Sequence, residues 1–373
     1  MLRWCAIGLL AGLGWSALFS QLSYLDRPDL LEKVNTGLNH TYNFAFEDAR
    51  HIQQELLRAT PDHPAPVFLE ALILYWEHFP LMPNDQASER FVALMEQCVQ
   101  MAGTLIEQEE TYLEGIFFDL FGRAFQAMFW ADNGKSGKLV PDLRIMYKRT
   151  KEGFGLKEDF VEFYFSTGLY NYYIEAYPEA HPVYKPLLSF MQKGDKKLGL
   201  EQLNHAINHA IYLKVEAILF MSLIQLKYEE DLQTAAIYAR RLHQDYPGNI
   251  YYQGHLLTIL LHEHRYEEVE EVLRSMDGQK DPWSEMIRTL ASAYLAEKQG
   301  NNDLLAGKAY QDLLMLADSF GPFADIYAAM AYMGLSRLHA EKGLISEARR
   351  YARQASKRTG YPFILNDQAN APR

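Results

Sequence analysis

EAILFMSLIQLKYEEDLQTAAIYARRLHQDYPGN, residues 216–249, decides the fold class. It reads as one helix, an acidic break at Tyr228-Glu229-Glu230, and a second helix that ends at Pro247. Ala235, Ala239 and Leu242 recur at the helical spacing and place small and large residues on a single face of that second helix. Shifting the frame by 34 residues brings Val269, Leu273 and Met276 to the equivalent places, with Pro282 one residue past the expected proline. Tyr266-Glu267-Glu268 then introduces the next second helix, as Tyr228-Glu229-Glu230 does here.

The beat extends towards both ends. Leu335, Gly343, Ala348, Ala352, Ala355 and Pro362 keep the spacing near the C-terminus, and Gly37, Ala49, Leu56 and Pro61 keep it near the N-terminus. Between them, less regular helix pairs run over about 65–106 and 112–150, and a third pair covers 160–177 and 196–212. An insertion at 178–195, with Pro178, Pro182 and Pro186, divides that third pair, after which Gly199, Leu203 and Ala206 resume the offsets. Turn residues such as Pro61-Asp62-His63-Pro64 and Asn133-Gly134 punctuate the helices, and strand patterning is nearly absent. The physical reason for a fixed period is that helices cross closely only where a small residue faces a large one.

These residues resemble the tetratricopeptide repeat family over most of the chain. The stretch from Gly168-Leu169-Tyr170-Asn171-Tyr172-Tyr173 through Gly194 to Leu200 is similar to a segment of long, exported bacterial proteins of that family. The resemblance implies an all-α fold, a right-handed α-solenoid of about 7–8 helix–turn–helix repeats, whose first helices line a concave surface. In that frame Lys227, Tyr251, Thr258, His262 and Arg337 project into the concavity, where they would meet an extended peptide or helix of a protein partner. The implied role is that of a non-catalytic scaffold or adaptor.

Composition narrows the role further. The formal net charge of −12 disfavours nucleic acid and anionic membrane surfaces, which would be repelled. Arg3, the apolar run from Trp4 to Phe19, and Ser20 before Gln21 have the layout of a secretory signal peptide over 1–20. The repeat body is then expected over 21–365 and a flexible tail over 366–373. If the N-terminal segment is retained, it is the one expected membrane contact. Either way the protein is expected to be exported, to the periplasm or cell envelope, with secretion from the cell as the alternative. Cys98 would be the sole remaining thiol, so stability is expected from packing rather than a disulfide.

No catalytic, cofactor or metal site is expected. Asn133-Gly134-Lys135-Ser136-Gly137-Lys138 superficially matches a phosphate loop, but Phe129 stands where the loop needs its first glycine, so the segment is an interhelical turn. Glu201, His205 and His209 share a helical face without a third ligand of matching spacing. Glutamate pairs such as Glu267-Glu268 suit polar faces and helix starts. Aromatic residues are dense around 117–130 and 160–177. Most belong to a core, while Tyr172 and Tyr173, beside the insertion, are candidates for partner contact. The alternative reading is an exported toroid of helical hairpins that binds or hydrolyses carbohydrate through two convergent carboxylates.

Overall fold

The computed structural model describes residues 23–83, 85–300 and 302–367, and these are all-helical, with no strand among them. The N-terminal segment 1–20, read above as a signal peptide, lies outside the described residues. No helix among the described residues is long and apolar enough to cross a membrane.

The chain folds as consecutive antiparallel pairs. They are α1 (Pro28–Tyr42) with α2 (Phe46–Ala59), α3 (Pro64–Glu77) with α4 (Gln86–Ile106), and α5 (Tyr112–Asp132) with α6 (Val140–Leu156). Next, α7 (Phe163–Ala180) is followed by the short α8 (Lys185–Leu188) and pairs with α9 (Lys196–His209). The remaining pairs are α10 (Lys214–Ile224) with α11 (Leu232–Asp245), α12 (Ile250–His262) with α13 (Tyr266–Ser275), α14 (Pro282–Lys298) with α15 (Asp303–Ala317), and α16 (Asp325–Glu341) with α17 (Ile345–Arg358). A last short helix, α18 (Pro362–Leu365), closes the described chain. First helices of successive pairs also touch each other, α1 on α3, α3 on α5, α12 on α14 and α14 on α16. This hairpin order fits an α-solenoid.

Burial separates the two members of a pair. In α12 only Tyr251 and His262 escape full burial, and α3 and α16 are likewise enclosed on almost every side. The second helices bury a single stripe: Ala235, Ala236, Ala239 and Leu242 in α11, Val269 and Val272 in α13, Ala348 and Ala355 in α17. An apolar-all-round helix must lie inside and a one-faced helix outside. The repeat-frame residues Ala235, Ala239, Leu242, Val269 and Met276 are thus interior.

The turn within several pairs is the same physical object. Phe44, Gly134, His264 and Gly343 all have positive φ, and the next residue's amide donates to the carbonyl five positions back, as in Ala45 N to His40 O at 2.9 Å and Arg265 N to Leu260 O at 3.0 Å. That is the left-handed helix terminator, which satisfies carbonyls a helix end leaves open. Glu230 (φ 53) holds the equivalent place at the end of α10, but one π turn, Gln225–Glu229, adds a residue before it. Tyr228-Glu229-Glu230 therefore finishes the first helix, whereas Tyr266 begins the second, so the two acidic breaks are not equivalent. The 34-residue spacing is instead carried by Glu230 and His264.

Close helix approach requires glycine at one crossing in particular. On α9, a Cβ at Gly199 would sit 2.7 Å from the Tyr172 backbone nitrogen and 2.8 Å from the Gly168 carbonyl oxygen of α7. Pro178 lies inside the last turn of α7, so the interruption of this pair begins a few residues later than the prolines suggest. Helix starts are capped by side chains the sequence supplies locally: Asp195 for α9, Asp231 for α11, Asn249 for α12 and Asp281 for α14.

Distant pairs are tied by buried polar and aromatic contacts. Glu162, at 1% exposure, accepts the amides of Ile211, Tyr212 and Leu213 at 2.6–3.0 Å and so fixes the turn that leads into α10. Glu114 accepts the Tyr24 amide with both oxygens at 3.0 and 3.1 Å. The end of α1 meets the α11–α12 turn, where Asn249 donates to the Tyr42 carbonyl at 3.1 Å and Tyr42 donates to the buried Glu216. Trp76 and Phe79, at the end of α3, place their rings against Tyr251, Tyr252, Trp283 and Phe323, with Phe79 5.0 Å from Trp283.

Two outcomes follow from this packing. Gly199→Val is expected to lower stability by about 1–3 kcal/mol through overpacking at the α7–α9 crossing, read as a drop in urea midpoint. Burial pushes the Glu216 carboxyl up to about 7, so the folded state holds its proton more tightly than the unfolded chain. The stability this contributes is complete below the ordinary glutamate range and is lost as pH rises through 7. Glu216→Gln, which can still accept from Tyr42, should therefore gain stability relative to the wild type between pH 5 and pH 8, by on the order of 1–3 kcal/mol. Parallel thermal melts at the two pH values measure it, and a constant offset would refute the assignment.

Candidate functional site

The residues chosen by the repeat frame come together around one short segment of the chain itself, residues 359–367. Pro362 starts α18 just after the extended Tyr361, and α18 is only one turn long. A helix this short is not stable alone, so its position is set by what it packs on. Ile364 is fully buried, and α18 touches α16, α17 and the π turn at the end of α10.

From that segment outward, each side chain has a defined place. The Lys227 ammonium stands 5.7 Å from the Tyr361 ring centroid and 5.5 Å from that of Tyr228, and burial lowers its pKa. His262 meets the Phe363 ring edge to face at 4.7 Å, while its Nδ1 lies 2.9 Å from the Thr258 carbonyl oxygen. Burial pushes His262 down to about 4, as it does His255, whose Nε2 is 2.8 Å from the Ser222 hydroxyl. Both rings are therefore neutral near pH 7. Tyr361 is itself pushed up to about 12 by burial.

Arg337 carries the strongest electrostatics. Its guanidinium grips Glu297 with two bonds, Nε to Oε1 at 2.6 Å and Nη2 to Oε2 at 2.8 Å, and donates through Nη1 to Asp367 Oδ2 at 2.5 Å. Tyr310 donates to the same Glu297 at 2.6 Å, and the guanidinium lies 5.2 Å from the Tyr294 ring centroid. Two carboxylates and a ring face thus enclose one cation, an arrangement suited to the planar fork of arginine.

Two clefts flank the segment. One, of about 510 Å³, is lined by Tyr172, Lys196, Lys227, Tyr228 and Pro362. The other, of about 270 Å³, is lined by Tyr251, His255, Thr258, Tyr327, Arg358 and Tyr361.

Exposure corrects part of the sequence expectation. Thr258, Arg337 and Tyr172 are 1%, 6% and 0% exposed, so these side chains are interior and do not project freely towards a partner. The reason is that α12 and α16 are enclosed on both sides and that Tyr172 turns inward to donate to Glu229. Lys227, Tyr251, His262 and Tyr173 keep partial exposure. Tyr173 packs edge-on against Tyr228 at 5.5 Å. The tail expected to be loose from 366 onward is held at least through Asp367 by Arg337; 368–373 lie outside the described residues.

Sequence reasoning did not find Glu297, Tyr310, Tyr361, Phe363 or Asp367 as parts of this site. Glu297 is forty residues from Arg337, and no local pattern announces a partner at that distance. Among the described residues no group of three His, Cys, Asp or Glu side chains is placed to hold a metal ion. His205 packs between the tilted rings of Tyr164 and His209, with centroids 4.0 and 4.4 Å away. Cys98 is buried in α4, and burial pushes its thiol well above the ordinary range, which keeps it inert. No protein-family model matches the chain, and no curated protein matches it either.

Breaking the buried cation–carboxylate grip is costly because it strands Glu297. Arg337→Leu is expected to lower stability by about 3–5 kcal/mol in denaturant unfolding, and a loss below about 1 kcal/mol would show that the pair is not a structural tie.

Proposed function

We propose that this chain is a right-handed superhelix of about 7–8 helical hairpins of tetratricopeptide type, and that it works as a non-catalytic scaffold in the cell envelope. Its partner is a protein or peptide that docks along the inner helices. The observation that carries this reading is the convergence of Lys227, Tyr251 and His262, spaced along α10–α12, on one surface with two open clefts beside it. Partly exposed aromatics and a cation within a cleft offer ring stacking and cation–π contact to a peptide, the two interactions that anchor such partners. The left-handed turns at Glu230 and His264 lie 34 residues apart, which agrees with the repeat spacing in that part of the chain.

The test is an affinity capture with the chain from Gln21 onward, out of the envelope fraction of the producing cell, under gentle crosslinking. One or two stoichiometric protein partners are expected in mass spectrometry, and Lys227→Glu should reduce their recovery at least five-fold while leaving the circular dichroism spectrum unchanged. A blank capture, or equal recovery by the variant, would overturn the reading. A glycan-binding screen would then decide for the carbohydrate alternative.

A further inference from the structure

The segment that sits on this surface has a composition of its own: Thr359-Gly360-Tyr361-Pro362-Phe363-Ile364-Leu365-Asn366-Asp367. It presents two aromatic rings on either side of a proline, two aliphatic residues, and a carboxylate four residues after the second ring. Each feature meets a dedicated group. Tyr361 lies under the Lys227 ammonium, Phe363 against His262, Ile364 in the core, and Asp367 on Arg337. These receptor groups come from α12, α16 and the π turn after α10, elements far apart in the chain.

We propose that the surface is a peptide receptor selective for an aromatic–proline–aromatic segment ending in a carboxylate, and that residues 359–367 are its resident intramolecular ligand, which a partner segment of the same chemistry displaces. The inference rests on the scaffold reading above and names its partner class.

Three features mark the contact as a receptor–ligand contact rather than a simple end cap. The segment leaves clefts of about 510 and 270 Å³ open beside its residues 359–362, so a partner segment has room there for side chains larger than those of the resident one. Its helix is a single turn, so the segment is held by the surface more than by its own backbone and can leave without unfolding a neighbouring helix. Asp367 is not the sole counter-ion of Arg337: the bidentate bond to Glu297 involves no atom of the segment, so the cation has a second carboxylate to hold it when the segment departs. A resident ligand also raises the threshold for outside ligands, because the open state is only fractionally populated and the apparent affinity falls by that fraction.

The experiment uses the full chain and a fluorescein-labelled peptide of residues 359–367, followed by anisotropy. The variant Phe363→Ala/Asp367→Ala, which loosens the resident segment and leaves the receptor groups intact, is expected to bind the peptide at least ten-fold more tightly than the wild type. Adding Lys227→Ala should weaken that binding at least three-fold, and a peptide carrying the same two alanines should not bind. The milder full-chain variant Asp367→Asn, which keeps every apolar contact, covers the case in which the double variant fails to fold, and should bind at least three-fold more tightly than the wild type. Absence of peptide binding to whichever of these variants retains the wild-type circular dichroism overturns the proposal. If envelope capture finds a stoichiometric partner but the peptide does not bind, only this inference fails. If the peptide binds and no partner is captured, the scaffold reading fails instead.

Discussion

A helix such as α12, buried on every side but for Tyr251 and His262, has no stable existence facing water, and everything else in the molecule follows from the need to enclose it. Its apolar surface is too wide for one neighbour. It packs against α11 before it, α13 after it and α14 beyond, and α3 and α14 are flanked in the same way by the helices before and after them and by the first helix of the next pair. Enclosure of this kind scales with the number of pairs, because each new hairpin covers the exposed flank of the last. The outer helices can then be cheap in apolar content, and α17 shows the limit: only Ala348 and Ala355 are buried in fourteen residues.

Enclosure creates a second requirement. Helix ends at the buried turns bring backbone amides and carbonyls into places water cannot reach, and each needs a partner. Locally the chain answers with Asp and Asn caps and with the left-handed turns at Phe44, Gly134, His264 and Gly343. In the turn before α10 a buried glutamate from another pair takes this part: Glu162 receives three successive amides. The buried carboxylates are therefore structural acceptors.

The same logic reaches the C-terminal segment. The surface of α12 and α16 beside the π turn is closed by residues 359–367, whose aromatic and acidic side chains meet a cation, a neutral imidazole and an arginine already held by Glu297. Neutrality of His262 matters here. A buried ring next to an aromatic one is tolerated as a hydrogen-bonding apolar surface, whereas a charged ring would have to be solvated.

The helical class, the pairing of helices, the small-residue crossing at Gly199 and the interior face formed by Ala235, Ala239 and Leu242 were all determined by the sequence alone, because each depends on spacing within some tens of residues. The extra residue of the π turn was not: Gln225–Glu229 is an ordinary apolar–polar pattern, and only packing against α11 and α18 selects the wider turn. Nor did periodicity reveal that Thr258, Arg337 and Tyr172 are interior, since a frame gives the direction of a side chain within its helix but not what lies in front of it. Only the tertiary structure decided that Arg337 meets Glu297 and Asp367, and that Lys227 and His262 meet Tyr361 and Phe363. Those contacts join residues from 30 to more than 130 positions apart, a separation that spacing rules within a single helix pair do not reach.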